Sequence, residues 1–279
     1  MKKAAVFITL LFVSYLAMAQ NAPYGNNPAA GKYLQVGDAR IYYEVYGEGK
    51  PLLLLHGDFF GYIGEFSGYI PILSKYYRVI AVAKRGHGKS EMGNQPFSEK
   101  LFAEDALAVL KHETSDSATV VGFSAGGITA LYLAAYYPDK IKKVVGMGAG
   151  LGSKGFRPER EANLKGLDYK NLEKNAAGFI EARKKLMPQP ERFPELLDRL
   201  KKCWFVDVFV EEEKAKTIKC PVLIIGGDRD ANSTIDRFVS TYLTIPHAQL
   251  AIIPNCDHVG LVSKPDMFQS VALPFLNNQ

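Results

Sequence analysis

The chain has 279 residues, of which 47% are hydrophobic and 23% are charged. A chain of this length buries about 70–75% of the surface that it exposes when unfolded, so these values exclude wholesale disorder and allow one sizeable core. The net charge of +5 is mild and evenly spread, and no run of Lys or Arg exceeds three residues. This distribution argues against nucleic acid as a partner.

Residues 1–19 have the pattern of a secretory signal peptide. A basic start is followed by an apolar run from Ala4 to Leu16 and by Ala17-Met18-Ala19, which has the small-x-small pattern that signal peptidase accepts. The run is shorter than the about 20 residues that a membrane-spanning helix needs, and an uncleaved anchor is the alternative. We therefore expect a secreted or periplasmic protein that begins at Gln20 and has no stable membrane insertion.

Short apolar segments dominate the rest of the chain, after a linker that the Gly, Asn, Pro and Ala content predicts at residues 20–32. One segment alternates like a half-buried strand, and the others are continuous, as is typical of parallel strands that are buried on both faces. The predicted strands are Ala39 to Tyr46, Pro51 to Leu55, Val79 to Ala83, Thr119 to Phe123, Val144 to Met147, Val222 to Ile225 and Leu250 to Ile253.

Helical patterns separate these strands, and the alternation indicates an α/β domain with a mostly parallel sheet. The predicted helices run from a cap at Ser98 to about Lys111, from Ile128 to Tyr137, and from Asp266 to Leu273. Residues 151–216 contain helical patterns, charge runs and prolines but no convincing strand. We expect this region to be a helical lid, inserted into a core formed by residues 33–150 and 217–279.

Gly122-Phe123-Ser124-Ala125-Gly126 follows a predicted strand and opens a predicted helix. A G-x-S-x-G sequence in this context places a nucleophilic serine on a sharp turn, where only neighbours without bulk fit. The turn also points the N-terminus of the helix at an oxyanion. Ser124 is therefore the candidate nucleophile.

A serine hydroxyl needs a base, and His258 is the candidate. It follows the last predicted strand and precedes the last helix, which places it at the carboxyl edge of the sheet, where Ser124 also lies. The four histidines with loop, turn or helix-end positions are less suitable; they are His56, His87, His112 and His247.

An acidic residue must orient the imidazole. Asp228 and Asp230 both follow a predicted strand at the same edge, and position alone favours Asp230, which lies further into the loop. Asp257 is a weaker candidate because the side chains of adjacent residues rarely face each other. The order Ser, Asp, His along the chain is that of α/β-hydrolases.

Two backbone N–H groups are expected to hold the oxyanion. Ala125 follows the nucleophile, and Asp58 follows a strand that ends in His56-Gly57, with Phe59 in reserve. The Asp58 carboxylate should turn away from the oxyanion or bind a polar part of the substrate. Phe59 and Phe123 are candidate substrate-binding residues, although aromatic side chains near a core more often simply pack.

These motifs together resemble the α/β-hydrolase fold family, in particular its lidded, lipase- and esterase-like serine hydrolases. The resemblance covers about residues 33–276 and supports Asp230 over Asp228, because the second acidic position of that loop matches the family's acid. Two positions depart from the family pattern: Ala83 stands where an Asp is usual, and Asp257 stands where a Gly is common before the histidine.

The sequence thus predicts a secreted serine hydrolase that cleaves a carboxylic ester or related acyl bond of a small molecule through an acyl-enzyme. No cofactor or metal is expected. The same machinery would also serve an aminopeptidase, a lactonase, a carbon–carbon bond hydrolase or a perhydrolase, and a non-catalytic binding protein is a further alternative. An aminopeptidase needs an acid near the nucleophile, which the Glu211–Glu213 run could supply. Cys203, Cys220 and Cys256 permit one disulfide at most, and we expect small buried side chains instead.

Overall fold

The computed structural model describes residues 23–277 except 60 and 207, so the predicted leader lies outside the described residues. Within this part of the chain, eight strands form one sheet. They are β1 (Gly31–Val36), β2 (Ala39–Tyr46), β3 (Lys50–Leu55), β4 (Tyr77–Val82), β5 (Ala118–Phe123), β6 (Ile141–Met147), β7 (Val222–Gly227) and β8 (Gln249–Ile253). Their spatial order is β1-β2-β4-β3-β5-β6-β7-β8.

The helices of the described residues lie on both faces of the sheet and above its carboxyl edge. They are α1 (Ile70–Leu73), α2 (Glu99–Glu113), α3 (Ala125–Tyr136), α4 (Pro158–Lys165), α5 (Tyr169–Lys184), α6 (Phe193–Trp204), α7 (Glu212–Ala215), α8 (Ile235–Thr244), α9 (Gly260–Ser263) and α10 (Pro265–Asn277). Short 3₁₀ turns occupy Ile63–Phe66, Pro138–Lys140 and Pro190–Arg192.

Strands β3 to β8 are parallel to one another, and β2 pairs antiparallel with β4, which confirms the predicted mostly parallel sheet. Alternate residues of the central strands contribute to two hydrophobic clusters on opposite faces, because successive side chains of a strand point to opposite sides. Val120 and Val144 belong to the cluster that includes α2 and α3 residues. Val121 and Val145 belong to the cluster that includes α1 and α10 residues. The apolar runs seen in the sequence therefore reflect burial on both faces.

The first strand, β1, was not predicted, and it begins inside the expected linker of residues 20–32. It pairs antiparallel with β2 at the edge of the sheet. Most of its residues are only partly buried or exposed, and Tyr33 is 45% exposed. An edge strand with one neighbour needs no continuous apolar run, so its sequence carries little of the pattern that marks the buried strands.

Between β6 and β7 the chain forms α4 to α7 and no named strand, in the region 151–216 where a lid was expected. The buried face of α6, with Leu196, Leu197 and Leu200, packs in a third hydrophobic cluster with Phe97 and Phe102 of the core region. This packing holds α6 above the carboxyl edge of the sheet. A search of the described residues finds no helix that is both long enough and apolar enough to cross a membrane.

Candidate active site

Ser124 stands on the sharp turn between β5 and α3. Its backbone has φ 52° and ψ −121°, a left-handed conformation that is costly for a residue with a side chain. The Ser124 N–H donates to the Met147 carbonyl oxygen (2.7 Å), which ties the turn to the end of β6. A Cβ at Gly126 would collide with the Leu55 carbonyl oxygen, so this position has room only for glycine. The helix begins at Ala125, three residues earlier than the sequence pattern predicted.

A chain of hydrogen bonds connects Ser124 to His258 and Asp230. His258 Nε2 lies 3.0 Å from Ser124 Oγ, and His258 Nδ1 lies 2.7 Å from Asp230 Oδ2. Because an ionised carboxylate only accepts hydrogen bonds, the Nδ1–H must donate to Asp230. In the neutral imidazole, Nε2 then carries no proton and accepts a hydrogen bond from the Ser124 hydroxyl. The structure therefore brings together the three side chains singled out in the sequence.

Asp230 is completely buried, and every oxygen of its carboxylate is bound. Oδ1 accepts hydrogen bonds from the backbone N–H groups of Asn232 (2.7 Å) and Ser233 (3.0 Å), while Oδ2 accepts from His258. Burial by itself raises the pKa of this carboxyl, but the hydrogen bond and charge of His258 and the two backbone donors outweigh it and lower the pKa. Asp230 is thus ionised and ready to stabilise an imidazolium.

The other two aspartates considered in the sequence have different partners. Asp228 Oδ1 accepts the backbone N–H of Cys256 (3.2 Å), and Oδ2 lies 3.5 Å from Nε of Arg229. Asp257 Oδ1 accepts the backbone N–H of Gly260 (2.6 Å) and stabilises the first turn after the histidine. Neither carboxylate contacts the His258 imidazole, so the geometry assigns the orienting position to Asp230.

Two backbone N–H groups next to Ser124 are available for an oxyanion. Ala125 is the first residue of α3, where an N–H has no partner within the helix. The Asp58 N–H donates no hydrogen bond to any described residue, and both residues line the same cavity as Ser124. The Phe59 N–H, the alternative donor named in the sequence analysis, already donates a hydrogen bond to His87 Nε2 (3.0 Å).

The Asp58 side chain turns away from the oxyanion position and joins two elements. Its Oδ1 accepts a hydrogen bond from Lys84 Nζ (2.6 Å), and its Oδ2 accepts one from Trp204 Nε1 (2.9 Å) at the end of α6. Burial opposes ionisation of Asp58, but the positive charge of Lys84 prevails and lowers its pKa. The Asp58 carboxylate therefore connects the loop after β3 to Lys84 and to the end of α6.

Two further acids, Glu99 and Glu65, line the cavity. Glu99 Oε2 accepts the hydroxyl of Thr129 (3.0 Å), and burial raises the pKa of Glu99 to about 7. Glu65 Oε2 accepts the Gly57 N–H (2.9 Å), and burial raises its pKa to about 7 as well. When Glu99 keeps its proton, the net charge of the cluster of Asp58, Lys84 and Glu99 is zero.

A cavity of about 450 Å³ opens on Ser124 and His258. Its walls are mostly apolar, and Phe59 and Phe123, the two candidate substrate-binding residues, both line it. The larger apolar lining residues are Phe59, Phe123, Ile128, Phe156, Leu164, Trp204, Phe209 and Val259, and the ionisable ones are Asp58, Glu65, Glu99, Arg237, Asp257 and His258. Leu164 and Trp204 come from residues 151–216, so the region predicted as a lid contributes to the wall.

The acidic run Glu211–Glu213 does not line the Ser124 cavity. Glu212 instead lines two other cavities, together with Asp236 and Ser240 of α8. Glu65 and Glu99 do line the Ser124 cavity, and sequence reasoning missed both of them. In the part of the chain that the structure describes, no three His, Cys, Asp or Glu side chains are grouped as metal ligands, and the three cysteines are free.

A strained nucleophile turn, a histidine after the last strand and a buried acid at the carboxyl edge of this sheet define an α/β-hydrolase. The chain belongs to the α/β hydrolase fold family, whose model matches residues 50–208. It is 27% identical over 270 residues to the 2-hydroxy-6-oxo-6-phenylhexa-2,4-dienoate hydrolase of Comamonas testosteroni, covering 87% of this chain and 93% of that protein.

Solved structures share the fold at lower identity. A meta-cleavage product hydrolase of Pseudomonas fluorescens IP01 superposes with a TM-score of 0.73 at 23% identity, covering 90% of this chain and 99% of that one. An enol-lactonase of Burkholderia xenovorans LB400 superposes with a TM-score of 0.70 at 21% identity, covering 88% of this chain and all of that one. Proteins whose names describe different hydrolytic reactions therefore share this fold.

Proposed function

We propose that this chain is a serine hydrolase that cleaves carboxylic esters or related acyl bonds. The observation that carries the proposal is the hydrogen-bonded chain from Ser124 through His258 to Asp230, which ends in a largely apolar cavity. A buried carboxylate, an imidazole of fixed tautomer and a hydroxyl on a strained turn are the groups that nucleophilic acyl transfer needs.

In the first half of the reaction, Ser124 Oγ attacks the substrate carbonyl carbon while its proton moves to His258 Nε2. The Asp230 carboxylate stabilises the resulting imidazolium, and the N–H groups of Ala125 and Asp58 bind the oxyanion. The tetrahedral intermediate then breaks its bond to the leaving group, which takes the proton from Nε2. An acyl ester on Ser124 remains.

In the second half, water replaces the alcohol. His258 Nε2 takes a proton from the water as its oxygen attacks the acyl carbon, and the same two N–H groups hold the oxyanion. Collapse breaks the bond to Ser124 Oγ, which regains a proton from Nε2. The acid product leaves and the resting hydrogen-bond chain is restored.

Hydrolysis of short p-nitrophenyl esters tests the proposal. Ser124→Ala should lower kcat by at least about 10⁴-fold, because the covalent route is lost and only binding and the oxyanion donors remain. Ser270→Ala, on the exposed face of α10, is the matched control and should leave the rate unchanged. Undiminished turnover in Ser124→Ala would end the proposal.

A second candidate is hydrolysis of a carbon–carbon bond next to a ketone, and the activity for which the Comamonas testosteroni relative is named favours it. The same serine would attack the keto carbonyl, and the carbon leaving group would need protonation at carbon. Parallel assays of one 2-hydroxy-6-oxo-dienoate and one ester of similar size separate the two. A kcat/KM at least tenfold higher for the dienoate would replace the ester proposal by this one.

We also propose export of the protein, on the basis of the sequence of residues 1–19. Expression of the full chain in a bacterial host with a general secretion system, followed by intact-mass measurement, tests this. A periplasmic product that begins at Gln20 supports export, whereas a full-length cytoplasmic product contradicts it.

A further inference from the structure

Arg237 is a buried cation with an unused donor. It lies near the start of α8 and is only 4% exposed. Its Nε donates to the Gly152 carbonyl oxygen (3.0 Å), and its Nη1 donates to Ser233 Oγ (2.8 Å). Its Nη2 is the one fully buried side-chain nitrogen or oxygen without a hydrogen-bond partner among the described residues.

No carboxylate of the described residues lies within 4 Å of the Arg237 guanidinium. Burial lowers its pKa, the charge of Asp230 partly opposes this, and the net result is a pKa of about 10, so the group remains positive at neutral pH. A buried charge without a paired counter-ion is costly, and protein sites that contain one usually bind an ion of opposite sign. Arg237 therefore has an unpaired charge and an unused hydrogen-bond donor with which to bind a ligand.

Arg237 lies at the candidate active site. Arg237 lines the same cavity as Ser124 and His258, and it is the one Lys or Arg side chain among the residues of that lining. The Phe156 ring lies under the guanidinium, 4.3 Å from Cζ to the ring centroid, and restricts its movement. Ser233 holds one edge of the group in place.

The acids of the same cavity do not neutralise Arg237. Asp58 is paired with Lys84, and Asp257 Oδ1 is bound by Gly260. Asp230, which does not line the cavity, is bound by His258 and two backbone N–H groups. Glu65 and Glu99 have their own donors in Gly57 and Thr129. The guanidinium is thus free to bind a group that the substrate brings.

We propose that Arg237 forms a subsite for an anionic substrate, binding a carboxylate at the end of the molecule remote from the scissile acyl bond. A carboxylate matches the planar, forked donor set of a guanidinium. This inference rests on the proposed hydrolytic function and narrows its substrate class to acyl compounds with a second, free carboxylate.

The test compares p-nitrophenyl esters of dicarboxylic acids, the hemisuccinate, hemiglutarate and hemiadipate, with neutral butyrate and valerate esters. Wild type should prefer at least one hemiester by tenfold or more in kcat/KM, mainly through a lower KM. Arg237→Met should reduce this preference at least tenfold, and Arg237→Lys should retain part of it. Since both substrate types use the same triad, the ratio is insensitive to damage at Ser124.

Lys154→Met is the matched control, because Lys154 is exposed and lines a neighbouring cavity with Arg237 but not the Ser124 cavity. It should leave the preference unchanged. Equal kcat/KM for neutral and anionic esters in wild type, or an unchanged preference in Arg237→Met, would overturn the subsite. Failure of wild type on every ester would instead overturn the proposed function.

A binding measurement keeps the subsite testable without turnover. Glutarate should raise the melting temperature of wild type and of Lys154→Met, and should have no effect on Arg237→Met at the same concentration. If Arg237→Met does not fold, Arg237→Lys replaces it and should show a smaller shift than wild type. An equal glutarate shift in wild type and the Arg237 variant would contradict the subsite.

Discussion

At the scale of single residues, Asp230 determines what His258 can do. The carboxylate accepts the Nδ1–H and so leaves Nε2 unprotonated toward Ser124. Two backbone donors fix the carboxylate itself, so the imidazole has a defined tautomer and orientation before any substrate binds. Asp230 therefore fixes the imidazole proton on Nδ1, and the neutral amide of an asparagine should be a poor replacement.

Asp230→Asn should lower kcat for ester hydrolysis by about 10²–10⁴-fold, because an amide can donate to Nδ1 and favour the wrong tautomer. Asp228→Asn is the matched control: it makes the same change two residues away, where the carboxylate binds Cys256 N–H and not the histidine. Steady-state kinetics of both variants decide the question. Equal losses in the two variants would refute the assignment of Asp230.

Glu99 should make stability depend on pH. Its folded pKa of about 7 lies above the ordinary value of 4.5, so the folded protein keeps a proton that the unfolded chain loses between these pH values. Stability therefore falls as pH rises through this window, by on the order of 3 kcal/mol. Urea unfolding at pH 5 and pH 8 should show this loss in wild type, and Glu99→Gln should reduce it. Identical pH dependence in the two proteins would contradict the role of Glu99.

At the scale of elements, the passage from β5 to α3 is the part of the fold that presents Ser124. The turn has a strained residue at its centre and backbone packed against Gly126, so the surrounding sheet must hold it in place. The parallel pairing of β5 with β3 and β6 supplies that support on both sides.

Gly126→Ala should therefore abolish ester hydrolysis and destabilise the protein by several kcal/mol, since the new methyl group meets the Leu55 carbonyl. Gly178→Ala in α5 is the matched control. No atom lies within 4 Å of a Cβ at that exposed helical position, so the change should stabilise the protein by about 0.5–1 kcal/mol. Unfolding curves and ester kinetics check both, and a fully active Gly126→Ala would show that the turn tolerates bulk.

Helix α6 is joined to the loop after β3 by the hydrogen bond from Trp204 Nε1 to Asp58 Oδ2. Trp204→Phe preserves most of the apolar contact but removes the N–H donor to a buried carboxylate, at a cost of about 1.5–3 kcal/mol. We expect faster amide hydrogen exchange in α6 and a several-fold higher KM for esters, with kcat less affected. Tyr76→Phe, at an exposed position, serves as the control. Unchanged exchange in α6 would exclude this coupling.

At the scale of the whole molecule, the parallel core was predictable because a strand that is buried on both faces needs an apolar run, as β5 and β7 show. The meeting of Ser124, Asp230 and His258 was predictable because the carboxyl ends of parallel strands share one edge. The edge strand β1 was not predictable from this signal, since a partly exposed strand requires few apolar residues.

The buried charges escaped prediction for a different reason. Lys84, Glu99 and Arg237 look like ordinary surface residues in the sequence, and only their tertiary partners show that they are buried. A weak signal existed at Arg237, which shares a helical face with Thr241, a buried residue four positions later. Nothing local indicates that Trp204, the single tryptophan of the chain, would reach Asp58.

The most direct test of the central claim is labelling of the folded protein with a fluorophosphonate probe, followed by peptide mass spectrometry. An activated Ser124 hydroxyl should displace fluoride and form one phosphonyl ester on the peptide that contains Ser124, with labelling slowed in Asp230→Asn and absent in Ser124→Ala. A folded wild-type protein that is not labelled, or is labelled at another residue, would contradict the account and favour a binding protein on this scaffold.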